Sequence, residues 1–202
     1  MPTLRGSVGA ARLASVAVAL SALIVLPSCG GGPAQPVSEW KSYTARGSGY
    51  GTEVPADWGI TERGGAMGFE TTIRANANNW IRVSKQMLPG ALEVKLMRSS
   101  LYDQAIIGAV QAHYGKLEDE FVEFHGEAPE PGVPEGKRAG FGRFTCTKKG
   151  RMFVGEVELE GATVLLFARD DIYIFDCCFD PGSADAVWPV FVRVVDTLEL
   201  EE

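Results

Sequence analysis

The chain has 202 residues, 46% of them hydrophobic, and a formal net charge of −7 at pH 7. That length holds one domain with a sizeable core and leaves few residues for a second. An acidic balance with no basic stripe among its aromatics argues against a nucleic-acid ligand and against charge-driven adhesion to anionic headgroups.

In chain order, the first feature is an export signal. Arg5 and Arg12 precede an apolar run from Leu13 to Leu26, interrupted by Ser15 and Ser21, and no acidic residue occurs before Glu39. The run is shorter than the roughly 20 residues that span a bilayer, and its charged flank is that of a secretory signal. Leu26-Pro27-Ser28-Cys29 follows at once. This order resembles a bacterial lipoprotein signal peptide with its lipobox, although Pro27 is less usual there than Ala or Ser. The resemblance implies that Cys29 is the lipidation site and becomes the mature N-terminus. Two or more acyl chains hold a protein stably at a membrane where one is marginal. A retained membrane helix, and an ordinary secretory signal cut after Gly30, are the competing readings.

The expected division is signal peptide over residues 1–28, flexible tether over 29–38 and one domain over 39–202. Removing the signal leaves seventeen basic and twenty-six acidic residues, a charge of −9. If the host is Gram-negative, the absence of Asp after Cys29 favours sorting to the outer membrane.

Within the domain, Trp40–Thr44 reads as a short strand. Tyr50, Thr52 and Val54 alternate towards Pro55, which closes a second strand into a turn. Met67–Arg74 and Trp80–Met87 are strands joined by the turn-forming Asn76-Ala77-Asn78-Asn79. From Leu92 to Tyr114 the spacing of Leu92, Leu96, Ile106, Ile107, Val110 and Tyr114 predicts a helix, capped at Gly115. Phe121–His125 reads as a short strand, and the proline-rich 126–136 stretch as an exposed loop. Four strands follow, Phe141–Lys148, Arg151–Glu160, Thr163–Ala168 and Ile172–Asp180, with turns at Lys149-Gly150, Gly161 and Asp170-Asp171. A helix beginning near Asp185 closes the chain, burying Val187, Phe191, Val194, Val195 and Leu198, with Pro189 in or just past its first turn.

This order predicts an α+β class: one antiparallel sheet packed between helices. Tyr50, Pro55 and Trp58, the meander to Asp180 and the terminal Val195-Asp196-Thr197-Leu198 resemble the PsbP-like fold, an α-β-α sandwich that also includes the Ran-binding Mog protein and several bacterial lipoproteins. The resemblance implies binding or assembly work without catalysis. It carries over no individual functional residue.

Candidate chemistry is sparse. Only His113 and His125 are available as bases, and Gly47-Ser48-Gly49 lacks the flanks of a nucleophile elbow. Glu123 and His125 would share one face of an extended strand and are the candidate ligands for a weakly held divalent ion; the family's links to calcium or manganese raise the idea. Trp40, Trp58, Trp80 and Trp188 read as core and lid residues, as large aromatics usually are in a domain of this size; the alternative is a ligand groove, in which Trp58, after its proline turn, would be the exposed member. Cys146, Cys177 and Cys178 are expected as buried thiols, with a Cys146–Cys177 bridge and a vicinal Cys177–Cys178 ring as the alternatives; the first and last strands of a four-strand meander stand about 14 Å apart, against the roughly 7 Å a disulfide tolerates.

The function expected is that of a lipid-anchored cell-envelope module, not an enzyme, that needs no cofactor and meets an envelope protein partner at the membrane. A divalent-metal-binding auxiliary factor is the alternative, and an envelope hydrolase the third choice.

Overall fold

The computed structural model describes residues 33–45, 47–65, 68–87, 102–131, 139–150, 155–168 and 171–200. Cys29, the apolar run before it, residues 88–101 at the start of the expected long helix, and the loop over 132–138 lie outside the described residues. Among the described residues no helix is long and apolar enough to cross a membrane.

Eleven strands and two helices are described. β1 (Trp40–Ala45) and β2 (Tyr50–Pro55) form a hairpin, which β11 (Glu199–Leu200) joins to make a small antiparallel sheet. The large sheet runs in the order β3 (Gly59–Gly65), β4 (Gly68–Arg74), β5 (Trp80–Met87), β10 (Asp171–Phe179), β9 (Glu156–Ala168), β8 (Ala139–Lys149), β6 (Glu123–Gly126). β7 (Glu130–Pro131) also pairs with β8 at that edge, where a proline is tolerated because no ladder donor is required of it. Every described pairing is antiparallel.

Alternation along the central strands gives the large sheet two apolar faces. Tyr173, Phe175, Cys177 and Phe179 of β10, with Ala162, Val164 and Leu166 of β9, point to one core. That face is covered by the small sheet and by helix α2 (Ala184–Asp196), through Val187, Val190, Phe191, Val194 and Val195. Ile174 and Cys178, Leu159 and Leu165, and Phe144 and Cys146 point to the other. There helix α1 (Tyr102–Glu118) lies across β8 and β9 with Val110, Tyr114 and Leu117 inward. The result is the expected α-β-α sandwich.

Several local expectations are corrected. β9 is one strand of thirteen residues that passes straight through Gly161, so the meander has three long strands and not four. A Cβ at Gly161 would stand 2.4 Å from the Phe144 ring and 2.5 Å from the Cys177 carbonyl; the glycine makes room for a close approach and does not turn the chain. α1 continues past Gly115 to Glu118. Pro189 is the sixth residue of α2, just beyond its first turn and one position deeper than a start at Asp185 would give. β3 is absent from the expected elements, since Gly-Ile-Thr-Glu-Arg-Gly-Gly offers one apolar residue in seven.

The segment before β1 has no regular structure but lies against the domain. The Ala34 N–H donates to Ser183 Oγ at 2.9 Å, and Ala34 and Val37 pack against the α2-side core. Ser183 precedes the first residue of α2 yet makes no side-chain bond to the helix end; its hydroxyl accepts from Ala34 instead.

Candidate functional site

One row across the large sheet holds Asp176, the one carboxylate buried among the described residues. Ladder register places Thr72, Arg82, Asp176, Thr163 and Gly142 side by side on β4, β5, β10, β9 and β8. Asp176 is 1% exposed and belongs to the face under α1. Its Oδ1 accepts from Thr163 Oγ1 at 2.8 Å and contacts His113 Nε2, from α1, at 2.8 Å. Its Oδ2 accepts from Arg82 Nε at 3.3 Å and from Arg82 Nη2 at 3.1 Å. The guanidinium then reaches out through Nη1 to Glu120 Oε2 at 2.8 Å, in the turn after α1.

A carboxylate offers about four acceptor positions, and here four contacts occupy them. Burial pushes the Asp176 carboxyl up, but the hydrogen bond and charge of His113, the Arg82 charge and the Thr163 hydroxyl more than offset it, so the group sits below its ordinary value. Burial would lower the Arg82 guanidinium; Asp176 and Glu120 reverse that and raise it. Both groups are therefore locked in their charged forms.

The Asp–His–Thr combination has the parts of a hydrolytic triad in the wrong order. The Thr163 hydroxyl bonds the carboxylate, not the imidazole. His113 is 7% exposed, and its Nδ1 has no partner among the described residues. No nucleophile among them stands within reach of the ring nitrogen that would act as base. The arrangement pins α1 and its following turn to three strands.

Beside the row, Tyr114 lies in a trough of glycines. Its ring covers Gly126 and Gly142, and its hydroxyl donates to the Arg143 carbonyl at 2.9 Å. Burial raises the phenol to about 12.

The other expected site residues do not converge on this row. Glu123 and His125 do share a face of β6, both exposed and opposite Thr147 and Thr145. Among the described residues no group of three or more His, Cys, Asp and Glu is placed to hold a metal ion. Cys146, Cys177 and Cys178 are buried free thiols. Cys177 faces the α2-side core, whereas Cys146 and Cys178 face α1. β8 and β10 flank β9, about 9.5 Å apart, beyond the roughly 7 Å a disulfide tolerates. Burial pushes the Cys177 and Cys178 thiols up, away from the reactive thiolate.

The tryptophans line no common groove. Trp58, the member a groove would have exposed, is 5% exposed and part of the core, in line with the core reading. Trp40, Trp80 and Trp188 are half-buried, and each lies beneath an arginine: Arg193 at 4.3 Å, Arg82 at 5.4 Å and Arg143 at 5.3 Å. A surface depression of about 200 Å³ is lined by Glu127, Ala128, Glu130, Phe141, Gly142 and Arg143. That is below the roughly 300–1,000 Å³ of small-molecule sites.

Sequence reading misses Arg82 and Asp176 because they lie 94 residues apart on strands that only the fold makes neighbours. A signal is present: Asp176 interrupts Ile-Tyr-Ile-Phe-Asp-Cys-Cys-Phe, a run apolar enough to be buried on both faces, and a buried charge requires a partner.

No protein-family profile matches the chain, and no curated protein sequence matches it. Among solved structures, the cyanobacterial PsbP (CyanoP) of Synechocystis sp. PCC 6803 superposes with a TM-score of 0.58 at 14% identity, covering 85% of this chain and 98% of that one. A protein of Bacteroides thetaiotaomicron VPI-5482 aligns more loosely, at 0.42 and 13% identity over 80% of this chain and 48% of its own. With the antiparallel sheet held between α1 and α2, the fold of this chain is the PsbP-like fold.

Proposed function

We propose that the chain is a lipid-anchored cell-envelope lipoprotein acting as a non-catalytic binding or assembly module. The supporting observation is the saturation of Asp176. The one described cluster that combines carboxylate, imidazole and hydroxyl spends all three on holding α1 to the sheet. The anchor rests on the residues before the domain: Arg5 and Arg12, the short apolar run, and Leu26-Pro27-Ser28-Cys29. Acylation of Cys29 anchors the domain in the cell envelope, at the outer membrane or a periplasmic membrane face if the host is Gram-negative. Confinement there raises the effective concentration seen by an envelope protein partner. Membrane fractionation of cells expressing the full chain tests this. The wild type is expected in the membrane pellet and released by detergent, and Cys29→Ala in the soluble envelope fraction. Equal membrane retention of both would overturn the anchor.

A further inference from the structure

The Ala34–Ser183 bond fixes which end of the domain the membrane meets. Taking Cys29 as the acylated residue, as proposed above, five Cα steps separate it from Ala34. At full extension they reach about 18 Å. Were the chain free up to Trp40, the reach would be about 40 Å. The bond, and the packing of Ala34 and Val37 on the core, thus cut the reach by more than half. A domain of this size has a radius of gyration of about 15 Å and is roughly 40 Å across.

Ser183 belongs to one pole of the sandwich. Asp180 fastens the β4–β5 turn there, accepting from Asn78 Nδ2 and Asn79 Nδ2 at 2.9 Å each. The Asn79 carbonyl oxygen of the side chain accepts from the Asp180 N–H at 3.0 Å. Lys148 Nζ donates to the Ala77 carbonyl across the same end. Pro181 and Gly182 are exposed. The opposite pole carries the Gly47–Gly49 turn and Phe69, which is 40% exposed.

We infer that the pole formed by Pro181–Ser183 and the Asn76–Asn79 turn faces the headgroup surface of the bilayer that holds the acyl chains, while the Gly47–Gly49 and Phe69 pole points away and is left free. An inverted domain would set Ala34 about 40 Å from the surface, more than twice what five residues span. The facing pole is mostly polar; beside Lys148 it carries Val122, its one exposed large apolar side chain among the described residues. It sits at headgroup level because the tether is short, and does not insert.

The test uses the full lipidated chain in vesicles of phosphatidylethanolamine and phosphatidylglycerol doped with a nickel-chelating headgroup lipid. A nitroxide is placed at Gly182→Cys, where an added Cβ meets nothing within 4 Å, or at Arg63→Cys, an exposed site. Arg63 lies level with Ile174 through Glu70 and Ser84, about 17 Å along the strands from Phe179. The native domain cysteines are buried and stay unlabelled. Co-flotation with the vesicles, followed by at least threefold stronger nickel relaxation at position 182 than at 63, is expected. Flotation with equal relaxation, or stronger relaxation at 63, overturns the orientation while leaving the anchor standing. Failure to float contradicts the anchor and the orientation together. Inserting twelve Gly/Ser residues after Gly32 is expected to collapse the contrast; if it persists, surface contacts set the orientation and the short tether does not.

Discussion

Asp176 is a buried carboxylate that owes its ionisation to three neighbours from three different elements. A carboxyl whose folded value lies below its unfolded one, about 3.9, stabilises the fold above that unfolded value. The contribution fades as pH falls through the folded value, so it belongs to the acid limb of the stability curve. Asp176→Asn keeps the shape but leaves Arg82 half-compensated in a buried setting. Removing one partner of a buried pair costs about 3–5 kcal/mol, and a loss of that size at pH 7 is expected in urea denaturation. Repeated from pH 7 to pH 3, the experiment should show wild type and variant converging towards acid. A constant offset across the range would mean that the carboxylate's charge contributes nothing. Glu120, at the exposed end of the same chain of contacts, contributes far less: Glu120→Gln is expected to change stability by under about 1 kcal/mol.

At the scale of elements, glycines decide how closely α1 approaches the sheet, and their effects differ in sign. A Cβ at Gly142 would stand 1.8 Å from the Tyr114 hydroxyl. Gly142→Ala should therefore destabilise by about 3 kcal/mol, the upper range for overpacking. Tyr114→Phe in the same chain should return part of that by removing the clashing oxygen. Gly108 and Gly115 face open space on the outer side of α1, so alanine at either should stabilise by about 0.5–1 kcal/mol. Thermal or urea melts of the three variants check these signs together. The same glycines show where sequence reading works and where it stops. Periodicity places Val110 and Tyr114 on the buried side of α1, and alternation places Tyr50, Thr52 and Val54 in β2, because burial on one face imposes a pattern that a short window reveals. Gly161 and Gly115 mislead, since a glycine serves equally as a turn, a cap, a gap for a neighbour's ring or a neutral exposed site. Only the packing distinguishes these uses. β3 is hidden for a related reason: an edge strand exposed on most of its length needs no apolar alternation. The Arg82–Asp176–Thr163 row is invisible because register between distant strands creates it.

For the whole molecule, the two faces of the sheet have different coverings and different consequences. α2 and the small sheet close one face, and the Thr52 and Thr197 hydroxyls stitch β2 to the end of α2. α1 and the Asp176 network close part of the other. Asp176, Thr163 and Thr52 spend their buried polar atoms on holding those layers together, while Tyr50 Oη and His113 Nδ1 have no partner among the described residues. The class and the two-sided packing are legible from the order of elements; the docking of Ala34 against Ser183 is not, because Gly30–Ser38 has the composition of a linker. That docking turns an unpatterned segment into a short mount with a defined exit point. The central claim is that the molecule works from a lipid mount at Cys29. Intact-mass and N-terminal peptide spectrometry of the mature chain purified from membranes test it most directly. The expected first residue is Cys29, carrying the mass of two or three acyl chains; a chain that still begins at Met1, or one whose Cys29 is absent or bears a bare thiol, would contradict it.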